Sequence, residues 1–202
     1  DIVISTSPPS FCPIISCLYC RIFNKKLVID AHNSAFLKPW INVPFYKRIL
    51  KNSHLILIHN NEFYEYLSKI YSDYNFFVLP DPLPDFEKSI KKNSTGLNNK
   101  YFLVVLSFSS DEPVDLIFKS IKNYLQSSEN NEYSFFITGN YLKNKKIYDE
   151  YSKIDGIQFL GFLSEENYEL VLLNSFAVIT FSTKIMVQQS AAIEAIGAGV
   201  PL

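Results

Sequence analysis

Short apolar runs alternate with longer mixed stretches along the first 80 residues of the chain. The apolar runs predict strands, and the stretches between them predict helices over residues 11–23, about 43–51 and 62–71. The predicted strands are residues 2–6, 26–30, 55–58 and 76–79. Continuous apolar strands that alternate with helices are typical of a parallel sheet covered on both faces. The first half is therefore expected to be α/β.

A second series of the same kind begins at residue 101. Its predicted strands are residues 101–106, 133–138, 157–160 and 176–180. The helix predicted for residues 114–125 has its apolar positions on one face. Those positions are Leu116, Ile117, Ile121 and Leu125. A final helix of small residues is expected to be stopped by Gly197, Gly199 and Pro201.

Residues 80–99 separate the two series and are rich in Pro, Lys, Asn and Ser, with little apolar periodicity. The sequence thus predicts two Rossmann-like α/β domains with parallel sheets, residues 1–85 and 100–202, joined by a linker at 86–99. Two such domains are expected to form a cleft, with ligands at the carboxyl ends of the strands. The chain begins with Asp rather than Met and stops just after a Gly-Val-Pro turn, which leaves open that both ends are trimmed.

The composition is that of an ordinary globular protein, with 48% hydrophobic and 19% charged residues. Residues 1–97 carry 11 basic and 8 acidic side chains, and residues 98–202 carry 8 and 12, which gives the net charge of −1. This is not the dense basic face that binds nucleic acid. No run reaches the roughly 18–20 apolar residues of a membrane span, and no signal peptide is recognised. A cytoplasmic protein is expected.

The three cysteines, Cys12, Cys17 and Cys20, have the C-x4-C-x2-C spacing of some iron–sulfur proteins. A fourth thiolate is missing and the surrounding sequence is that of an apolar helix, so buried structural thiols in a reducing compartment are expected. The sequence also lacks an Asp-x-Asp pair, a histidine pair at ligand spacing and a Walker-type phosphate loop. No metal site is predicted.

Two side chains are candidates for chemistry. Glu194 is the lone carboxylate in a helix of Ala, Ile and Gly, where its charge is costly to bury without a hydrogen-bond partner. Small neighbours allow a ligand to come close, although the residues alone give equal weight to a solvent-facing Glu194. His32 lies two residues beyond a predicted strand, where an imidazole can act as a base near neutral pH. His59 also follows a strand but carries less weight, since Asn60 and Asn61 can cap the next helix.

Five segments that lie at strand ends or near the end of the chain form an ordered set. They are DAHNSAF at 30–36, SFSSDEP at 107–113, ITGN at 137–140, GFL at 161–163 and EAIGAGVP at 194–201. In this order and spacing they resemble glycosyltransferases of the GT-B fold, and most nearly the family 4-like enzymes of bacterial surface-polysaccharide synthesis.

The resemblance implies transfer of a sugar from a nucleotide-sugar donor, held mainly by the second domain, to a saccharide or lipid-linked acceptor, held mainly by the first. Glu194 would hydrogen-bond the donor ribose, and Gly139 would line the nucleotide site with Ser107 and Ser109. His32 would lie near the reacting carbon or the acceptor. Beyond the nucleotide-sugar substrate, no cofactor and no essential metal are implied.

The chain also departs from the family pattern. Met186 stands where many retaining members have a second Glu, and the loop after the first strand of the second domain lacks the Arg and Lys that clamp the donor diphosphate. Lys184, Gln188 and Gln189 are the candidate replacements. The departures leave the stereochemical outcome open. They also keep two alternatives: a non-catalytic subunit that binds a sugar nucleotide or a carbohydrate, and a nucleotide-sugar epimerase, for which no acid–base set is found.

Residues 36–50 interleave aromatic side chains with Lys38, Lys47 and Arg48. Such a mixture suits the interface of a bilayer with anionic lipid, and it equally suits a domain core with a solvated basic edge. Peripheral contact with the inner face of the membrane is therefore an open alternative to a purely cytoplasmic location.

Overall fold

The computed structural model describes residues 1–86, 100–127, 132–187 and 189–202 of the chain. It contains two compact units, Asp1–Pro82 and Leu83–Leu202. Each unit has a parallel four-stranded sheet with helices, which confirms the predicted α/β fold class. Of the predicted linker, only Phe86 lies within the described residues, and its side chain packs against the core of the second unit.

The first unit is built of four strands and three helices in alternation. They are β1 (Ile2–Ser7), α1 (Phe11–Ile22), β2 (Lys26–Ala31), α2 (Tyr46–Asn52), β3 (Leu55–Ile58), α3 (Asn61–Ile70) and β4 (Phe76–Val78). The strands are parallel and lie in the order β1-β2-β3-β4. Helix α2 begins at Tyr46 rather than at about residue 43, because Pro44 disfavours helical backbone at Val43 and Phe45 has a left-handed φ of 66°.

The second unit repeats this alternation with a different strand order. Its elements are β5 (Tyr101–Val105), α4 (Val114–Ser127), β6 (Ser134–Thr138), α5 (Lys145–Tyr151), β7 (Ile157–Gly161), α6 (Glu165–Leu173), β8 (Ala177–Ile179) and α7 (Ser190–Ala198). The parallel order is β7-β6-β5-β8. The direction of winding reverses between β5 and β8. Such a switch point is where doubly wound sheets open a crevice for ligands.

The apolar core of the second unit covers both faces of its sheet. Leu103 and Val104 are successive residues of β5, so their side chains point to opposite faces, and both are fully buried. Val104 belongs to a cluster that includes Phe118 of α4. Leu103 belongs to a separate cluster that includes Leu172 of α6 and Ala195 of α7. The continuous apolar run at residues 101–106 is therefore explained by burial on two sides.

Helix α1 departs from the expectation of a buried apolar helix. It buries only Pro13 and Cys20, whereas Ile15 is 68% exposed. Cys12 is exposed and Cys17 is half-buried, so the prediction of buried thiols holds for Cys20 alone. The physical reason is that α1 packs beside β1, an edge strand whose own apolar residues are partly open. No described helix, α1 included, is both long and apolar enough to cross a membrane.

Two further expectations need correction. The buried face of α4 is not centred on Leu116, which is 64% exposed. It consists of Val114, Ile117, Phe118 and Ile121, the i, i+3, i+4, i+7 set of a helix that packs on one side. Gly197 does not stop the last helix, since α7 continues to Ala198 and ends at Gly199, whose φ is 66°. A Cβ at Gly197 would lie 2.7 Å from the carbonyl oxygen of Pro84, so a close backbone approach explains that glycine.

Candidate functional site

A cavity of about 740 Å³ opens at the carboxyl end of the second sheet. All four strands contribute to its wall at or just beyond their last residues. The contributing residues include Leu106, Gly139, Gly161 and Thr180. Its volume lies in the range of small-molecule sites, and its location includes the switch point between β5 and β8. The fold therefore provides a ligand-sized cavity at the place where a parallel sheet is expected to have one.

The structure brings together five of the residues that the sequence predicts for donor binding. Ser107, Ser109, Gly139, Gln189 and Glu194 all line this cavity. Three other predicted site residues are placed differently: Lys184 is not among the lining residues, Gln188 lies outside the described residues, and His32 belongs to the first unit.

Glu194 lies half-buried on α7 and is held by a partner on the neighbouring helix α6. The hydroxyl of Tyr168 donates a hydrogen bond of 2.5 Å to Glu194 Oε2. Burial raises the pKa of the Tyr168 phenol well above its usual range, and the bond to the carboxylate adds to the rise. Tyr168 therefore remains a donor, and Glu194 is oriented into the cavity wall rather than extended freely into solvent.

The carboxylate of Glu112 accepts hydrogen bonds from other residues of its own loop, the loop after β5. Oε1 and Oε2 of Glu112 accept from the backbone N–H of Ser107 at 2.9 and 3.1 Å, and Oε1 also accepts from the Ser107 hydroxyl at 2.9 Å. The backbone N–H of Ser109 donates to Oε2 at 3.3 Å. Donors that could have faced an anionic ligand are thus satisfied within the loop.

Asp111 ties the loop after β5 to the loop between β8 and α7. It accepts hydrogen bonds from the hydroxyls of Ser109 at 2.8 Å and Ser182 at 3.0 Å, and Lys184 Nζ lies 3.1 Å from Oδ1. Burial alone would raise the pKa of Asp111, but these three partners outweigh it and lower the pKa to about 2. Lys184 is therefore paired with a carboxylate of the chain itself.

Gln189 fixes the start of α7. Its side-chain oxygen accepts from the hydroxyl of Thr180 at 2.5 Å, and its amide nitrogen donates to the carbonyl of Phe181 at 2.9 Å. Both ends of the side-chain amide are occupied, so the contact holds the end of β8 against the first turn of α7. In this arrangement Gln189 shapes the cavity wall.

Gly139 and Lys143 belong to the loop after β6. Gly139 has a φ of 107°, and a Cβ there would lie 1.7 Å from the carbonyl oxygen of Leu106. Only glycine allows the ends of β5 and β6 to approach this closely. Four residues later, Lys143 lines the cavity and donates from Nζ to the carbonyl of Ser107 at 3.0 Å.

A second polar cluster lies in the first unit, at the carboxyl ends of β2 and β3. The rings of His32 and His59 stack with centroids 4.7 Å apart. His59 Nε2 lies 2.9 Å from Asp30 and Nδ1 lies 3.1 Å from Asp81, while His32 Nε2 lies 3.9 Å from Asp30. His59 is only 15% exposed, whereas half of the His32 side chain is open. Among the described residues, Asp30, His32 and His59 form the one group able to hold a metal ion, with ligand atoms within 4.8 Å of one another.

Several of these residues were missed by sequence reasoning. Asp111 and Glu112 stand in the segment at 107–113, of which only Ser107 and Ser109 were named as site residues. Lys143 stands just beyond the segment at 137–140, of which only Gly139 was named. Tyr168 had no signal, since its contact with Glu194 joins two helices separated by β8. The approach of His59 to His32 did have a signal in the sequence. Both follow neighbouring parallel strands, whose carboxyl ends meet at one edge of the sheet.

Comparisons with known proteins define the fold class. No protein-family model matches the chain, and no curated protein matches it in sequence. Solved structures do match. Sucrose-phosphate synthase from Thermosynechococcus elongatus has a TM-score of 0.77 and 13% identity, over 99% of this chain and 54% of that one. The pneumococcal O-GlcNAc transferase GtfA, solved with UDP and GlcNAc, has a TM-score of 0.67 and 17% identity, over 100% and 41%.

A third similar structure is the UDP-forming α,α-trehalose-phosphate synthase from Burkholderia xenovorans, with a TM-score of 0.70 and 11% identity, over 98% of this chain and 56% of that one. This chain therefore spans about half the length of the glycosyltransferases that it resembles. At such low identity the likeness establishes the fold alone, which is that of two Rossmann-like α/β units with parallel sheets.

Proposed function

We propose that this chain takes part in the transfer of a sugar from a nucleotide-sugar donor to a saccharide or lipid-linked acceptor. The observation that carries the proposal is the hydrogen-bonded pair of Glu194 and Tyr168 in a ligand-sized cavity at the switch point of the second sheet. The likeness in fold to glycosyltransferases, one of them solved with UDP and GlcNAc, supports it.

In this proposal Glu194 binds the ribose of the donor. Oε2 is engaged by Tyr168, while Oε1 accepts no hydrogen bond from the described residues and can accept one from a sugar hydroxyl. Such a bond would be strong, since a carboxylate bonds a hydroxyl more tightly than a neutral acceptor does. Ser107, Ser109 and Gly139 line the cavity around the rest of the nucleotide.

His32 is the proposed catalytic group, near the reacting carbon or the acceptor. Its side chain is half open to solvent, and it stacks on the more deeply placed His59. The stacking and the nearby Asp30 carboxylate orient the ring while leaving it accessible. An imidazole held in this way can accept a proton or hydrogen-bond the reacting sugar. His32→Asn is expected to abolish most transfer while His54→Asn, at another exposed histidine, leaves it unchanged.

The donor site is tested by a thermal-shift and calorimetric screen against UDP-, GDP- and ADP-sugars. The donor that stabilises the protein should bind about 10- to 100-fold more weakly to Glu194→Ala, because a hydrogen bond to a charged acceptor contributes about 1.5–3 kcal/mol. Glu166→Gln, in the exposed first turn of α6, is the matched control and should bind like the wild type. Undiminished binding by Glu194→Ala would contradict the ribose assignment.

A non-catalytic subunit that binds a sugar nucleotide is the second candidate. It is favoured by one observation, namely that the loop where relatives of the GT-B class carry clamp residues is closed by Glu112. The two candidates are separated by measuring transfer and donor hydrolysis on a protein shown to bind the donor. Binding with neither reaction supports the second candidate.

Catalysis is proposed to need no metal ion. Among the described residues, the one group able to hold an ion, Asp30, His32 and His59, includes the proposed catalytic group, and the proposal uses His32 as a base and not as a metal ligand. Transfer is expected to persist after chelation with EDTA. Loss of activity that returns with Mg²⁺ or Mn²⁺ would overturn this part of the proposal.

A role in surface-polysaccharide synthesis at the inner face of the membrane is the proposed setting. Its support is local: Phe45 is 75% exposed beside the exposed Lys47 and Arg48, whereas Tyr46 is fully buried. An exposed ring flanked by cations suits an anionic bilayer surface. Flotation with anionic liposomes should depend on Phe45, so Phe45→Ser should lose it. Equal flotation with neutral liposomes would argue against the setting.

A further inference from the structure

A nucleotide-sugar donor carries a negatively charged diphosphate, and the cavity provides little positive charge to meet it. Four carboxylates line the cavity: Asp111, Glu112, Glu165 and Glu194. Among the described lining residues, Lys143 is the one cation. A diphosphate bound in a site of this composition needs that cation, because repulsion by uncompensated carboxylates costs affinity.

The other polar groups near the strand ends are engaged by the chain itself. Glu112 occupies the N–H groups of Ser107 and Ser109. Asp111 is paired with Lys184, whose ammonium lies outside the cavity lining. The side-chain amide of Gln189 is bonded at both ends. Binding a phosphate with these groups would first require breaking contacts that the fold already makes.

Lys143 is placed differently. It lies on a short 3₁₀ turn, Tyr141–Asn144, that follows β6, and its exposed Nζ reaches over the loop after β5 to the carbonyl of Ser107 at 3.0 Å. It forms no ion pair with any residue that the structure describes. An ammonium has three donors, and the Ser107 carbonyl uses one of them. Two donors and the full charge remain for a ligand.

The start of α7 faces the same cavity through Ser190 and Ala191. The N-terminal turn of this nine-residue helix carries a partial positive charge, which favours phosphate. The helix start alone would be a weak anion site, and Lys143 adds the full charge that it lacks.

We propose that Lys143 is the cation that binds the donor diphosphate in this chain, in place of the Arg and Lys that the loop after β5 lacks. The inference rests on the proposed donor site. The inference adds to the proposed donor site one residue, from the loop after β6, that recognises the phosphates and not the nucleoside.

The test compares nucleoside diphosphates with nucleosides. Binding of UDP, GDP and ADP, and of uridine, guanosine and adenosine, is measured by calorimetry on the full chain and on three variants: Lys143→Ala, Lys143→Arg and Lys146→Ala. Lys146 is an exposed lysine of α5 outside the cavity lining and serves as the matched control. Lys143→Ala should weaken the preferred diphosphate about 10- to 100-fold, as expected for a charge-assisted contact.

The same variant should bind the corresponding nucleoside within about twofold of the wild type, since its contact is with the phosphates alone. Lys143→Arg should restore most of the affinity, and Lys146→Ala should change nothing. Equal weakening of nucleoside and diphosphate, or no weakening of either, would overturn the role of Lys143 while leaving the donor site in place. A wild-type protein that binds none of the three diphosphates would overturn both.

Discussion

Because β5 and β6 approach closely at Gly139, we expect Gly139→Ala to destabilise the second unit strongly. A Cβ at this position would lie 1.7 Å from the carbonyl oxygen of Leu106, about half of an ordinary contact distance, and the φ of 107° lies outside the regions open to alanine. Backbone strain of this kind costs about 1–3 kcal/mol, and the shift needed to relieve the overlap costs about 1–3 kcal/mol more. The free energy of unfolding should therefore fall by about 2–6 kcal/mol.

Gly199→Ala is the matched control for this prediction. Gly199 also has a positive φ, of 66°, but a Cβ there would meet nothing within 4 Å. Its cost should be limited to left-handed strain, about 1–2 kcal/mol. Urea unfolding, followed by circular dichroism, measures both variants. Equal destabilisation by the two would refute the close approach, and wild-type stability of Gly139→Ala would refute the backbone geometry at the end of β6 altogether.

Two more predictions concern the polar contacts around the cavity. The pKa of Asp111 is lowered from 3.8 to about 2. The ionised form therefore stabilises the fold by up to about 2 kcal/mol before solvent screening. This contribution to stability is fully present above about pH 4 and is lost as the pH falls through about 2. Urea titrations should accordingly show Asp111→Asn less stable than the wild type at pH 6, with the gap narrowing toward pH 3, and a gap that widens on acidification would contradict the pairing. Tyr168→Phe removes the donor to the half-buried Glu194 and should cost about 1–3 kcal/mol of stability while weakening donor binding. Calorimetry that finds donor affinity intact would show that Tyr168 does not orient Glu194.

Much of the fold could be predicted because its strands are short, continuous and apolar. The run at 101–106 is apolar throughout, since Leu103 and Val104 are buried on opposite faces, and a short run of this kind is typical of a strand covered on both sides. The exposed face of α1 could not be predicted. Ile15 and Leu18 are of the same residue types as core residues, and only the packing partners of a helix decide which of its apolar residues are covered.

The site was predictable as a place but not as a set of contacts. The strand-end rule indicated the loops that carry Ser107 and Gly139, and the resemblance to GT-B enzymes indicated Glu194; the structure brings all three to one cavity. The pairings within it depend on loop geometry: Glu112 turning back on Ser107, and Asp111 reaching Ser182 across two loops. Local hydrogen bonds of this kind compete with ligand contacts, and a sequence pattern does not show which will form.

The strand order of the two sheets has a consequence for how they assemble. In the first sheet every strand pairs with the next along the chain, so each pairing closes a short loop. In the second, β8 must return to β5 after α4, β6, α5, β7 and α6 have intervened. Long-range pairing of this kind is slow to form because the chain loses loop-closure entropy before the strand makes its stabilising contacts. Since the loop after β8 and helix α7 carry Ser182, Gln189 and Glu194, the sheet β7-β6-β5 can form before the ligand cavity exists. The cavity is complete only when β8 docks.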